Sequence, residues 1–138
     1  MLDGGQEVPA VDTDAFGFGL FELDESTGNL FYQIVFTPSL LSAPETEAHI
    51  HGPAPPGMEA PVLFSLPLGT PKTDTIVGLT SEQQTQLLSG LWYVNVHTTP
   101  FPGGEIRGQI VPEPSTLTLA ALGLLGLIAY GWRRRRQV

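Results

Sequence analysis

Cysteine is missing altogether from the 138 residues, which excludes disulfides and every thiolate metal or redox site. Charge is scarce, at 14% of residues against ~25% in an average globular domain. Bases are scarcer still: residues 1–112 hold thirteen acids but only Lys72 and Arg107. A body of that sign offers phosphates no basic face, so nucleic acid is excluded as a partner, whereas a bound cation is not. Ser39, Ser42, Ser65, Ser81 and Ser89 all lack the Gly-x-Ser-x-Gly setting of a nucleophile elbow. Gly103-Gly104 leads into a strand, so no phosphate-cradling loop opens a helix. Asp12/Asp14 and Glu45/Glu47 read as solvated loop and edge charges. The chain is therefore expected to act without catalysis.

One long apolar run is present. Residues 116–132, TLTLAALGLLGLIAYGW, would span about 25 Å as a helix, just short of a ~30 Å hydrocarbon core. Tyr130 and Trp132 end the run where aromatics settle at the lipid interface, and Arg133, Arg134, Arg135 and Arg136 follow directly. Those arginines stay cytoplasmic by the positive-inside rule, which places the body across the membrane. Ahead of the run, Pro112, Glu113 and Pro114 make a stiff spacer whose prolines oppose strand continuation. VPEPS, an apolar helix and a terminal Arg cluster, in that order, resemble the PEP-CTERM sorting signal of Gram-negative bacteria. The resemblance implies an exosortase partner and an inner-membrane anchor before processing. Delivery to the cell surface or extracellular matrix, among exopolysaccharide and other surface components, would follow. It also implies a secretion leader. The opening MLDGG has no basic n-region and no apolar h-region, so a leader is expected upstream of this start. The expected organisation is a body over 1–111, a spacer over 112–115, a transmembrane helix over 116–132 and a basic cytoplasmic tail over 133–138.

The body is rich in breakers, with sixteen glycines and thirteen prolines in the chain, about a fifth of it against ~12% on average. Apolar alternation lies between those breakers. Phe16, Phe18 and Leu20 alternate with glycines, and Leu30, Tyr32, Ile34 and Phe36 mark the inward face of the next strand. Further strands are expected at 46–51, 62–66, 72–77, 91–98 and 105–111. The last two should pair antiparallel and bury Trp92, Val94, Val96, Ile106 and Ile110. Thr80 with Gln83 forms a capping box for one short helix that turns Leu87 and Leu88 to the core and stops at Gly90. Short strands at this spacing predict an all-β, immunoglobulin-like Greek-key β-sandwich.

Strand parity singles out one face. Ala48 and Ile50 are opposed by Glu47, His49 and His51; Trp92, Val94 and Val96 are opposed by Tyr93, Asn95 and His97. Glu105 and Arg107 fall on the corresponding phase of the last strand. All three histidines of the chain would thus share a polar face with the body's only Arg. The same stretches resemble the CHRD domain: LDGGQEVP at 2–9, AHIHGP at 48–53, YVNVHT at 93–98 and GGEIRGQI at 103–110. That likeness covers residues 2–111 and implies a β-sandwich without an assigned catalytic mechanism.

Two readings of the polar face stand side by side. His49, His51, Asn95, His97, Glu105 and Arg107 can form a hydrogen-bonded cluster that pins strand register, with Arg107 bidentate to a carboxylate. Alternatively, His49, His51 and His97 can supply three imidazole nitrogens to Cu or Zn, a site that can carry redox activity and leaves a fourth position open. Arg107 could also take an anionic or sugar ligand directly.

Overall fold

Leu30, Tyr32, Ile34 and Phe36 alternate with polar or exposed residues, and that period of two becomes a strand with one fully buried phase. The computed structural model describes residues 1–114. Its strands are β1 (Leu2–Asp3), β2 (Phe16–Asp24), β3 (Asn29–Phe36), β4 (Glu45–His51), β5 (Val62–Ser65), β6 (Lys72–Ile76), β7 (Tyr93–Thr98), β8 (Ile106–Gln109) and β9 (Glu113–Pro114), with one helix, α1 (Ser81–Leu88). The fold is all-β with one short helix, as the spacing of breakers predicts.

The expected two-sheet sandwich is corrected by β1. This two-residue strand pairs with β8 through Asp3↔Arg107 and with β2 through Leu2↔Gly17 and Asp3↔Phe16. It joins the two halves edge to edge into one antiparallel order, β5-β4-β7-β8-β1-β2-β3-β6, which curls into a half-barrel. The core lies between the halves, where Leu30, Ile34, Ile50, Trp92, Val96 and Ile106 are all sealed from solvent. β7 and β8 pair antiparallel in the register Tyr93↔Gln109 to Val96↔Ile106, and Ile110 is buried beside them.

The phase of β2 is the reverse of the one its aromatic residues suggest. Phe16, Phe18 and Leu20 are exposed, while Gly17, Phe21 and Leu23 face the core. Glycine is needed there for close approach. A Cβ on Gly17 would lie 2.8 Å from the Val35 carbonyl, and one on Gly19 would lie 2.5 Å from the Phe21 ring. The glycines make room for Phe21 and Phe36, which pattern alone does not reveal.

The helix is capped as its sequence foretells: Gln83 N–H donates to Thr80 Oγ1 and Thr80 N–H to Gln83 Oε1. Gly90, with φ +70°, turns the chain out. Leu87 is buried but Leu88 is half-exposed, since a single helix against a sheet buries only a narrow stripe. At the spacer, Glu113 and Pro114 pair in parallel with Glu22 and Leu23 of β2, beyond the reach of β1. The prolines therefore do not prevent a short edge bridge, which needs few N–H donors. No helix among the described residues is long and apolar enough to cross a membrane. The helix expected over 116–132 and Arg133–Arg136 lie outside the described residues.

Candidate functional site

The pairing of β4 with β7 sets Glu47 opposite His97, His49 opposite Asn95 and His51 opposite Tyr93. Side chains two apart on a strand share a face, so all three imidazoles emerge on the outer side of the sheet, away from the apolar core. That side is not open to water. His51, His97, Asn95, Tyr93 and Arg107 are all buried.

What covers them is a pair of loops whose sequences explain the bonding. Residues 53–61, PAPPGMEAP, and 100–104, PFPGG, are dense in proline, which keeps a carbonyl but has no N–H. Such loops are rich in acceptors, and the sheet face supplies donors. His51 Nδ1 meets the Ala60 carbonyl at 2.9 Å and His97 Nδ1 meets the Pro102 carbonyl at 2.9 Å. Asn95 Nδ2 donates to Gly103 at 3.2 Å, and Arg107 Nη2 donates to Met58 at 2.8 Å. Four side chains of one face are thus each tied to a roof carbonyl.

These bonds fix the chemistry of the rings. A carbonyl only accepts, so Nδ1 of His51 and of His97 carries the hydrogen, and each neutral ring presents Nε2 as a lone pair. His97 Nε2 lies 3.1 Å from His49 Nδ1. His51 Nε2 is buried and has no hydrogen-bond partner. One ring nitrogen from each histidine lies within 4.8 Å of the others. Nitrogens bound tetrahedrally at 2.0–2.1 Å would sit ~3.4 Å apart, and the His49–His97 pair is already at 3.1 Å. His49 is 14% exposed and opens the cluster to solvent, with Glu47 Oε2 3.8 Å from its Nε2.

Electrostatics favour the neutral form of His49 and His51. Burial, then the neighbouring His97, holds His49 below the ordinary imidazole range, with Glu47 pulling the other way. Burial also lowers His51, against the hydrogen bond to Ala60. Neutral imidazole is the form that ligates a metal.

The rest of the polar face divides. Arg107 lies with its guanidinium carbon 3.4 Å from the Tyr93 ring centroid, and Tyr93 is stacked on His51 at 4.9 Å with the planes 1° apart. Glu105 is elsewhere. It sits in a bend after Gly104, outside the alternation of β8, and accepts from Thr98, Thr13 and Ser42. Burial opposes its charge, but those bonds hold its carboxyl below the usual range. Among the described residues Arg107 and Glu105 form no ion pair, which corrects the bidentate pair expected from parity. The carboxylate nearer Arg107 in effect is Glu7, which burial pushes up to about 7 while Arg107 pulls it down and Glu59 adds to the rise. Sequence reasoning missed Glu7, since a loop residue carries no periodicity. Tyr93 shares the parity of Asn95 and His97, so its place on this face was visible, but its stacking role was not.

A curled antiparallel domain with a roofed polar face, ahead of a proline-flanked spacer, defines the class of this protein. The CHRD domain family model matches residues 1–110, so the chain belongs to that family. The model of the PEP-CTERM protein-sorting motif matches residues 111–136 and marks the chain for export and membrane processing by an exosortase. No curated protein and no solved structure matches the chain.

Proposed function

We propose that this exosortase-sorted CHRD protein acts by binding, and that His49, His51 and His97 take one transition-metal ion, zinc or copper. The observation that supports this best is the bonding of the rings. Two Nδ1–H groups are anchored to backbone carbonyls so that Nε2 lone pairs converge, which is how metal-ligating histidines are oriented by their outer partners. With no thiolate and no carboxylate inside the cluster, the donor set suits Zn or Cu rather than Ca or Mg. In the cell, residues 116–132 hold the precursor in the inner membrane of a Gram-negative host. Processing near Pro112, Glu113 and Pro114 then delivers the domain to the surface or matrix, among exopolysaccharide and other surface components.

The test is metal analysis of the purified chain after incubation with Zn(II) or Cu(II) and dialysis. One retained equivalent, lost in a His51→Gln/His97→Gln double variant that still folds, is the expected result. A folded wild type that retains neither ion overturns the reading. In that case the same bonds would serve only to pin the two roof loops to the sheet.

A further inference from the structure

We infer that the fourth ligand of this metal site is a water held by Asn95, so that the site selects a divalent four-coordinate ion over Cu(I). The inference rests on the three-histidine reading above and goes beyond it to the choice of ion.

Asn95 sits at the centre of the constellation. It is directly opposite His49 across the β4–β7 pair and lies between Tyr93 and His97 on the same face of its own strand. The orientation of its amide is decided by chemistry. The Gly103 carbonyl can only accept, so the group facing it at 3.2 Å is Nδ2, and Oδ1 points the other way.

Buried side-chain atoms without a partner number three among the described residues: His51 Nε2, Asn95 Oδ1 and Glu7 Oε1. His51 Nε2 and Asn95 Oδ1 are acceptors, and Glu7 Oε1 is one when the acid is ionised. Glu7 and Asn95 are neighbours. A Cβ on Gly104 would lie 2.3 Å from Glu7 Oε1 and 2.7 Å from Asn95 Nδ2, so those two atoms are at most about 5 Å apart. An acceptor buried without a donor costs free energy, and native interiors rarely leave one so. A metal ion satisfies His51 Nε2, and Asn95 Oδ1 then lacks only a hydrogen to accept. A water on that ion supplies it.

Zn(II) and Co(II) bound by three histidines keep such a water, whereas Cu(I) is content with three nitrogens and none. Asn95 is in this sense a specificity-determining residue, acting on the ligand water rather than on the metal. Outer-shell partners of this kind typically change metal affinity 10–100-fold.

The experiment uses the full chain and two probes, Zn(II) and Cu(I), each measured by competition against a chelator of known affinity. In Asn95→Leu, Zn(II) affinity should fall 10–100-fold while Cu(I) affinity changes less than about threefold. Asn95→Asp keeps an acceptor at the same place and should restore most of the Zn(II) affinity. Wild-type protein loaded with Co(II) should show the intense visible bands of a four-coordinate ion, shifted by azide as it displaces the water. That last measurement needs no variant and stands if Asn95→Leu does not fold. Equal losses for both ions in Asn95→Leu, or Co(II) bands indifferent to azide, overturn this inference and leave the histidine site intact. Failure of the wild type to bind either ion overturns both.

Discussion

Tyr93 joins Arg107 to His51: its ring lies 3.4 Å from the guanidinium carbon and is stacked on the imidazole at 4.9 Å. The phenol is held in turn, because the Ala60 N–H donates to its oxygen at 3.1 Å while the Ala60 carbonyl accepts from His51. One roof residue thus fixes the ring and the imidazole stacked on it. Arg107 contributes an immobile positive face that neighbours the cluster without entering it.

Tyr93→Phe keeps the ring and both stacks and loses two hydrogen bonds to Ala60, one accepted from its N–H and a longer one donated to its carbonyl, so it should cost about 1–2 kcal/mol of stability. Tyr93→Leu also loses the cation–π contact and the platform under His51, and should cost about 3 kcal/mol. Urea unfolding of both variants measures the difference. Zn(II) affinity should follow the same order, nearly unchanged in the first variant and weakened in the second.

Glu7 gives a pH dependence of unusual sign. Its folded pKa stands at about 7 against 4.5 for the unfolded group, chiefly through burial, with Arg107 and Glu59 as the charged groups that act on it. Between those values the folded protein binds more protons than the unfolded chain, so stability from this residue falls as pH rises. The loss runs from about pH 4.5 to about pH 7 and amounts to at most about 3 kcal/mol. His49 and His51, lowered by burial, act oppositely as pH drops below the ordinary imidazole value. The clean measurement is therefore a difference. Glu7→Gln should lose little against wild type at pH 5 and should gain on it at pH 8, both read from urea unfolding.

The parts of the molecule legible in the sequence are those governed by a period. The buried phase of β3, the core positions of β7 and the capping box at Thr80 follow from alternation and local bonding. The shared face of His49, His51 and His97 follows from parity, because a strand pair preserves it. What escaped depends on contacts distant in the chain. β1 is too short for any periodicity to show, yet it closes the sheet. Glu105 left its expected face because Gly104, at φ +127°, bends the chain before β8 begins. The acceptor-rich roof was written in its prolines, and the donors beneath it in His, Asn and Arg. Their match becomes visible once the loops are seen to fold over the sheet.

The reversed phase of β2 is checked by two substitutions on adjacent residues. Gly17→Ala drives a Cβ to within 2.8 Å of the Val35 backbone carbonyl, which cannot rotate away. Overpacking of that kind should cost about 1–3 kcal/mol. Phe18→Ser, on the exposed phase, should change stability by less than about 0.5 kcal/mol. Thermal unfolding of the two variants decides the phase, and the opposite ranking would restore the aromatic residues to the core.

The most severe single change outside the core should be at Lys72, the only base besides Arg107 in residues 1–112. Lys72 is fully buried, and its ammonium donates to the Glu45 carboxylate, to the Pro67 carbonyl at 2.7 Å and to the Gly69 carbonyl at 2.8 Å. All three of its protons are used, and Glu45 also accepts from the Gly69 N–H at 2.7 Å. The ion pair therefore ties the edge strand β6 and the 67–69 turn to β4, the strand that carries His49 and His51. Lys72→Met fits the space but leaves a nearly buried carboxylate without its cation and two carbonyls without a donor. Removing one partner of a buried pair typically costs about 3–5 kcal/mol. Adding Glu45→Gln neutralises the stranded charge while the amide can still accept from Gly69, so the double variant should recover part of that loss. A coupling of about 1–3 kcal/mol in the double-mutant cycle, measured by urea unfolding, is the expected signature of a pair that stands or falls together. Additive losses would mean that Glu45 is solvated in solution and that Lys72 serves the two carbonyls alone.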